Sequence, residues 1–212
     1  MERIETAQQH ASADVTIVEI GGTVGEYENI LFLEAARMMK LRDPKHVMFV
    51  MVSYLPTPST IGEMKTKPTQ HSVRTLASSG VQPDIIIARS ALPLDEKRKE
   101  KLSFFCNVPR DRIISAPDIK SIYEVPLNFE TEHLSETIAG ILGLKLAKTL
   151  SPASAKWKKL VKVAQTATDE VRIAIVGKYF ETGDFVLSDA YLSVIEALKF
   201  SCYAQGKKPV LE

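Results

Sequence analysis

The chain has little cysteine, no clustered histidine and almost no net charge. Its 212 residues include two cysteines and four histidines, and 27 Lys plus Arg residues oppose 26 Asp plus Glu residues, for a formal net charge of +1. Two distant cysteines exclude a disulfide framework and a Cys-x-x-Cys site, and favour a cytoplasmic protein. The histidines lack metal-ligand spacing, so no zinc site is expected. The near-neutral charge gives no reason to expect non-specific binding to nucleic acid or to anionic membranes.

Long apolar runs are also missing. The longest, Val47–Val52, is far shorter than the roughly 20 residues that span a bilayer, so no membrane segment is expected. The remaining composition, with 45% hydrophobic and 25% charged residues, is typical of a globular protein and excludes disordered, collagen-like and disulfide-scaffold classes. The length allows one large domain or two modest ones.

Short β-branched runs, apolar on both faces, alternate with helical stretches. This order predicts an α/β fold with a doubly wound, mostly parallel sheet. The predicted strands are Val15–Ile20, Val47–Tyr54, Asp84–Ala88, Ile113–Ser115 and Val171–Val176. The predicted helices between the first four are Asn29–Lys40, Pro68–Ser78 and Asp95–Phe105.

After Pro126 the pattern becomes helical. Glu132–Leu150 reads as one amphipathic helix, and a Ser/Pro break precedes a lysine-rich helix over Ala155–Ala167, as in a linker between sheets. One further strand, Val171–Val176, and a helix from Ser188 to about Ser201 follow. One strand and one helix cannot close a core, so this last part is expected to be incomplete on its own.

The first predicted strand ends in Glu19 and enters a glycine-rich turn. A carboxylate in this position suits Mg²⁺, which takes one or two protein carboxylates together with phosphates and water. The alternative is that Glu19 caps a helix or pairs with a buried base. Gly22 and Gly25 do not complete a dinucleotide fingerprint, and Gly177-Lys178 does not complete a Walker A loop.

The segment Lys65–Ser72 is the most informative part of the sequence. Two lysines and two threonines precede or open a helix in which Pro68 can take the first position. A helix N-terminus with free N–H groups and two lysines predicts a cradle for a polyphosphate. The alternative is an ordinary capped helix with solvated lysines.

Polar residues also follow the next strands. Arg89 can stack on a base and Asp118 can accept a hydrogen bond from an exocyclic amine, whereas surface ion pairs are the simpler explanation for both. Lys101, beside apolar Leu102–Phe105, could turn inward or belong to a solvated helix face.

Taken in order, these residues resemble the CTP synthase family, the glutamine-dependent amidoligases that make CTP from UTP. The matching blocks are Val18–Gly25, Lys65–Ser72, Phe105–Pro109, Ser121–Pro126, Gly177–Tyr179 and Asp189–Leu198. The set extends over roughly residues 14–200. The lysine-rich block is highly specific, and its position among the others supplies the context that a lone motif lacks.

The resemblance implies a mechanism and its partners. ATP phosphorylates the 4-oxygen of UTP, and ammonia, released from glutamine in a C-terminal domain, displaces the phosphate to give CTP. The family uses Mg²⁺, is inhibited by CTP, is activated by GTP and assembles as homotetramers.

The resemblance also implies residue roles. Glu19 is a Mg²⁺ ligand. The implied UTP or CTP ligands are Glu26, Tyr27, Glu28, Lys65, Thr66, Lys67, Pro68, Thr69, Gln70 and Lys101. The implied ATP ligands are Pro117, Asp118 and Ile119, with Arg89 as a neighbour of the nucleotide.

The chain departs from the family at several places. Glu26-Tyr27-Glu28 stands where Asp-Ile-Glu is usual, Pro117 where lysine is common, and the Phe180–Ser188 spacer is longer. The N-terminal strand with its phosphate loop and the glutaminase nucleophile are not in this sequence, and Cys202 lacks the nucleophile's context.

An internal fragment of the family is therefore expected. Residues 1–140 are predicted to be synthetase domain, 141–170 a helical linker, and 171–212 the start of a class I glutamine amidotransferase domain. The fragment alone is expected to be inactive. The alternative is a non-catalytic module that binds nucleotide or joins full-length partners.

Overall fold

The chain is described from a computed structural model that covers residues 1–60, 62–146, 151–178, 181–182, 185–186 and 191–212. It divides into two compact units, Met1–Leu146 and Ala147–Glu212. The predicted domain boundaries at residues 140 and 170 refer to a longer protein and stay a prediction. None of the described helices is both long enough and apolar enough to cross a membrane.

A parallel sheet forms the centre of the first unit. Its strands are β1 (Val50–Tyr54), β2 (Ile85–Ser90) and β3 (Ile113–Pro117), arranged in that order. Met51 pairs with Ile86, and Ile86 pairs with Ile113. The predicted α/β fold with a parallel sheet is confirmed, as are the three strands predicted at these positions.

Six helices of the first unit are described. They are α1 (Glu2–Ala11), α2 (Ile30–Arg42), α3 (Lys67–Ser78), α4 (Glu96–Cys106), α5 (Val125–Thr131) and α6 (Leu134–Leu142). Short 3₁₀ turns lie at Tyr27–Asn29, Arg110–Arg112 and Ile122–Glu124. The sequence accounts for the ends of α4, because the Asp95 carboxylate accepts a hydrogen bond from the Arg98 N–H at 2.8 Å and Asn107 is left-handed after the last turn.

The core lies between one face of the sheet and helices α3 and α4. Met51 and Ser53 of β1 are buried, whereas the alternate residues Val50, Val52 and Tyr54 are exposed. This alternation follows from the two-residue period of a strand and shows which face of β1 is covered, whereas Ile85 of β2 and Ile114 of β3 are buried on the opposite face as well. The buried cluster includes Met51, Leu55, Val73, Leu76, Ile86, Leu102, Cys106 and Ile113.

The strand predicted at Val15–Ile20 is wrong. The segment is not paired with any described strand, and the Ile17 side chain is 91% exposed. A β-strand is defined by hydrogen bonds to a neighbour, so a suitable apolar run does not form one where that pairing is absent. Only the end of the segment joins the core, through partly buried Ile20.

The single helix predicted over Glu132–Leu150 is also wrong. Helix α6 begins at Leu134 and ends at Leu142, between left-handed His133 and left-handed Gly143. Glycine carries no Cβ penalty in this conformation, and the chain leaves the helix there. Residues 147–150 of the predicted helix lie outside the described residues.

The second unit contains α7 (Pro152–Thr166), β4 (Glu170–Ile173), α8 (Leu192–Ala204) and β7 (Lys208–Leu211), with a short antiparallel pair of β5 (Glu181–Thr182) and β6 (Phe185–Val186). The predicted lysine-rich helix, the strand and the last helix are present with shifted ends, although residues 188–190 of that helix lie outside the described part. The expectation of one strand is wrong, because β7 pairs with β4 in parallel. Helix α8 contacts β7 and connects the two strands in a β-α-β unit.

Candidate functional site

The carboxyl ends of the three central strands bring most of the predicted ligands to one edge of the sheet. The Lys65 N–H donates to the Pro56 carbonyl at 2.9 Å, just beyond β1. The Asp118 N–H, just beyond β3, donates to the Ser90 carbonyl at the end of β2 at 2.8 Å. Ligands bind at this edge in open α/β sheets, so its position agrees with a binding site.

The inward side of the Lys65–Gln70 segment is neutral and internally bonded. Thr69 is fully buried, and its hydroxyl lies 2.8 Å from the Ser53 hydroxyl of β1. The buried Gln70 amide donates to the Thr66 hydroxyl at 3.1 Å. These three side chains are therefore occupied within the protein. The Thr69 bond holds the start of α3 against the sheet, and the bond between Gln70 and Thr66 lies within the first turn of α3.

The start of α3 leaves backbone donors free of intrahelical bonds. The first such bond runs from the Gln70 N–H to the Thr66 carbonyl at 3.1 Å, so the N–H groups of Lys67 and Thr69 precede it. Thr66, at the cap position, makes no side-chain cap hydrogen bond. The alternative of an ordinary capped helix is therefore not realised through Thr66, and exposed Lys67 and Pro68 stand at the positive end of the helix dipole.

The outward side of the same segment carries charge. The Lys65 ammonium lies 2.7 Å from a Glu63 carboxylate oxygen, and the Arg98 guanidinium lies 3.7 Å from the other oxygen. The hydrogen bond from Lys65 is the main reason why the pKa of Glu63 is below its ordinary value, and the charges of Arg98 and Lys101 lower it further. Lys65 and Lys101, predicted from separate parts of the sequence, therefore act on one carboxylate.

The glycine-rich turn is held in shape by Glu26, the first of the predicted CTP ligands Glu26, Tyr27 and Glu28. A Glu26 carboxylate oxygen accepts a hydrogen bond from the Thr23 N–H at 3.0 Å, and the Asn29 amide donates to the Thr23 carbonyl at 3.1 Å. Gly22 has a φ of +82°, and a Cβ there would lie 2.7 Å from the same Glu26 oxygen. Tyr27 and Glu28, which follow, are exposed.

The turn also approaches α3 closely at Gly25. A Cβ on Gly25, whose φ is +99°, would lie 2.8 Å from the Thr75 methyl carbon. Close approach of the turn to the helix therefore requires glycine at this position.

Glu19 stands apart from the lysines. Its carboxylate lies against Gly21 and makes no hydrogen bond or ion pair to Lys65, Lys101 or Asp118 within the described part of the chain. Across the described residues no three His, Cys, Asp or Glu side chains come together to hold a metal. A single exposed carboxylate fits Mg²⁺ only where phosphate oxygens and water supply the other ligands.

The predicted ATP ligands meet at the ends of β2 and β3. Arg89 pairs in register with Ala116 on one side and with Tyr54 of β1 on the other. Arg89 and Asp118 are exposed, and Pro117 and Ile119 are half-buried. This arrangement supplies a cation, a carboxylate and an aromatic ring on one open edge.

Three residues of this edge were missed from the sequence. Glu63 and Arg98 were not singled out, and Tyr54 was treated only as the end of a strand. A carboxylate two residues before a lysine was an available signal for Glu63. The Arg98 contact, in which its Nε donates to the Met64 carbonyl at 3.2 Å, depends on how α4 packs and had no local signal.

Comparison with known proteins gives consistent matches. A family model described as "CTP synthase N-terminus" matches residues 1–144. Proteins named CTP synthase from Thermococcus gammatolerans and Nostoc punctiforme are 49% and 46% identical over 92% and 93% of this chain. A CTP synthase from Sulfolobus acidocaldarius is 42% identical over 98% of this chain.

The chain spans only part of these relatives. The aligned regions cover 35% of the first two proteins and 38% of the third. The model match includes the strands β1, β2 and β3, the Lys65–Gln70 segment and the Asp118 edge. Because it covers more than half of the chain, it shows that this chain belongs to the CTP synthase family.

Proposed function

We propose that the protein containing this chain makes CTP from UTP, ATP and ammonia. The terminal phosphate of ATP passes to the uracil 4-oxygen, and ADP leaves. Ammonia then forms a new C–N bond to the uracil carbon that carried this oxygen, as the phosphate departs. Family membership supports this reaction, as does the cluster of polar groups at the carboxyl edge of the sheet.

The observation that carries the proposal is the position of Lys65, whose ammonium lies 2.7 Å from a Glu63 carboxylate oxygen, with Lys101 among the cations that lower the pKa of that carboxylate. Two cations from different elements, together with exposed Lys67 and the N-terminus of α3, suit the triphosphate of UTP or of the inhibitor CTP. We assign Thr66, Thr69 and Gln70 to this site through their backbone and the position they give to α3, because their side chains are internally bonded. Pro68 presets the first turn.

The remaining assignments concern the glycine-rich turn and the carboxyl ends of β2 and β3. Glu26, Tyr27 and Glu28 contact CTP from the glycine-rich turn. Arg89, Pro117, Asp118 and Ile119 hold ATP, with Arg89 available to stack on the base. Glu19 holds Mg²⁺, which would offset phosphate charge during the transfer.

Several wider features belong to the same proposal. The complete synthetase domain is a doubly wound sheet, and the β4-α8-β7 unit begins a class I glutamine amidotransferase domain that supplies ammonia from glutamine. GTP activates this supply. The complete protein works as a homotetramer in the cytoplasm.

Nucleotide titration by calorimetry tests the proposal. The wild-type chain is expected to bind UTP and CTP, and Lys65→Ala is expected to weaken both by about tenfold, because one charge-assisted phosphate contact is lost. Lys67→Ala should weaken them less. Lys45→Ala is the matched control, since Lys45 is exposed before the amino end of β1. Binding that is equally strong in Lys65→Ala would contradict the assignment.

A further inference from the structure

Glu63 lies among cations that the proposed function gives to a nucleotide. One carboxylate oxygen accepts a hydrogen bond from Lys65 at 2.7 Å, and the other lies 3.7 Å from Arg98. Lys101 adds a third nearby positive charge. A carboxylate in this position makes the same kind of contact that a phosphate oxygen would make.

Arg98 is fixed more firmly than Glu63. Its backbone N–H donates to the Asp95 carboxylate at 2.8 Å, its guanidinium pairs with the same residue, and its Nε donates to the Met64 carbonyl at 3.2 Å. Its side chain is 24% exposed, against 59% for Glu63. When the contact between them breaks, Glu63 is therefore the partner that moves.

The backbone beside Glu63 leaves room for this movement. Gly62 has a φ of +65°, and no atom lies within 4 Å of the place where its Cβ would be. The Glu63 carboxylate has no described contact other than those with the cations. Exposed ion pairs of this type contribute little to stability, so an anion with several charges can replace it.

We propose that Glu63 competes with the triphosphate for Lys65 and Arg98, and that nucleotide binding requires its displacement. The proposal rests on the proposed function of the Lys65 site. It assigns two further residues to that site: Arg98, as an additional phosphate contact, and Glu63, as a negative group that limits affinity. Without Glu63, Lys65 would meet the ligand without a competing carboxylate, and Arg98 would keep only its pairing with Asp95.

The substitution Glu63→Gln tests this role because it keeps size and hydrogen-bonding capacity and removes the charge. Calorimetric titration with UTP and with inorganic triphosphate is expected to show about fivefold tighter binding than in the wild type, as suits an exposed site in water. Glu100→Gln is the control, since Glu100 is exposed on α4 and forms no described ion pair. It removes the same charge and should change affinity less than about twofold.

Each result has a separate meaning. Unchanged or weaker binding by Glu63→Gln, with wild-type binding that still depends on Lys65, overturns the competitor role and leaves the proposed function intact. Wild-type binding that is indifferent to Lys65→Ala contradicts the proposed function. No binding by either the wild type or Glu63→Gln overturns both. Hydrogen exchange of α3 should be equal in wild type and variant, because Glu63 is an exposed group.

Discussion

In the first unit, the segment Lys65–Gln70 contributes both to a buried layer of hydrogen bonds and to an exposed, charged rim. In the buried layer, a neutral hydrogen bond joins Ser53 of the sheet to Thr69 of α3, and another joins Gln70 to Thr66 at the start of α3. At the exposed rim, Lys65 and Glu63 form an ion pair that is open to water. Within the six residues from Lys65 to Gln70, Thr66, Thr69 and Gln70 are buried, and Lys67 and Pro68 are exposed.

The buried layer should contribute mainly to the stability of the unit, and the exposed rim mainly to anion binding. A buried hydroxyl that loses its partner keeps the full cost of leaving water, whereas an exposed ion pair returns to water at little cost. Substitutions in the buried layer should therefore unfold the unit locally, and substitutions at the rim should change anion binding. A substitution that does the opposite would break this division.

The buried layer protects Cys106 from reaction. Burial raises the pKa of the Cys106 thiol to about 11, from an ordinary value of 9.0. At pH 8 the thiolate fraction should be about a hundredfold lower in the folded chain than in the urea-unfolded chain, and the thiolate is the reactive form. Iodoacetamide labelling followed by peptide mass analysis measures this difference.

The same pKa fixes the direction of a pH effect on stability. The unfolded thiol loses its proton near pH 9, but the folded thiol keeps it until about pH 11. The contribution of Cys106 to stability is complete below pH 9 and is lost as the pH rises toward 11. Equal labelling rates in folded and unfolded chains at pH 8 would place Cys106 outside the buried layer.

Thr69→Val tests the bond between the sheet and α3. Valine has nearly the same shape but leaves the buried Ser53 hydroxyl without this partner, so the unit should lose about 2 kcal/mol of stability. Native-state hydrogen exchange of β1 and α3 amides measures the loss within this unit. Thr75→Val is the control on the same helix, because Thr75 is exposed and its hydroxyl only bonds the preceding turn.

A loss below about 0.5 kcal/mol in Thr69→Val, equal to that of Thr75→Val, would contradict the buried role. Nucleotide binding at the exposed rim should also change in Thr69→Val, because Thr69 positions α3. Weaker UTP binding in Thr69→Val is therefore expected only to the extent that α3 amides exchange faster.

The sequence predicted the sheet and the elements next to it because their patterns are local. β1, β2 and β3 are apolar runs, and recognisable residues mark the starts of α3 and α4, with Pro68 in the first turn of α3 and Asp95 at the cap of α4. Val15–Ile20 has an equally strong pattern and forms no strand, since pairing depends on a neighbour and not on the run itself. Strand β7 was missed for the complementary reason, because Lys208–Leu211 is short and has β4 as its partner.

The site was predictable in position but not in side-chain use. The strand-end rule and the family resemblance both indicated Lys65–Gln70, Arg89 and Asp118. They did not distinguish Thr69, whose side chain faces the core, from Lys65, whose side chain faces water. That distinction depends on how α3 rotates against β1, which the spacing of the segment does not specify.

Gly22→Ala extends the comparison to the glycine-rich turn, where crowding and backbone strain can be separated. Alanine at Gly22 must adopt a φ of +82°, and its Cβ would displace the Glu26 carboxylate from the Thr23 N–H. Gly62→Ala carries similar strain at +65° but meets no atom within 4 Å. Both variants should lose about 1 kcal/mol through strain, and Gly22→Ala should lose about 1 kcal/mol more through the hydrogen bond.

Hydrogen exchange of the amides in each turn measures the two losses locally. Equal losses in both variants would mean that the Glu26 bond contributes nothing to the turn. Both carboxylate oxygens of Glu26 would then be available to contact a ligand. The larger loss in Gly22→Ala would instead give Glu26 two roles, because a CTP contact could use only the carboxylate oxygen that does not hold the Thr23 N–H.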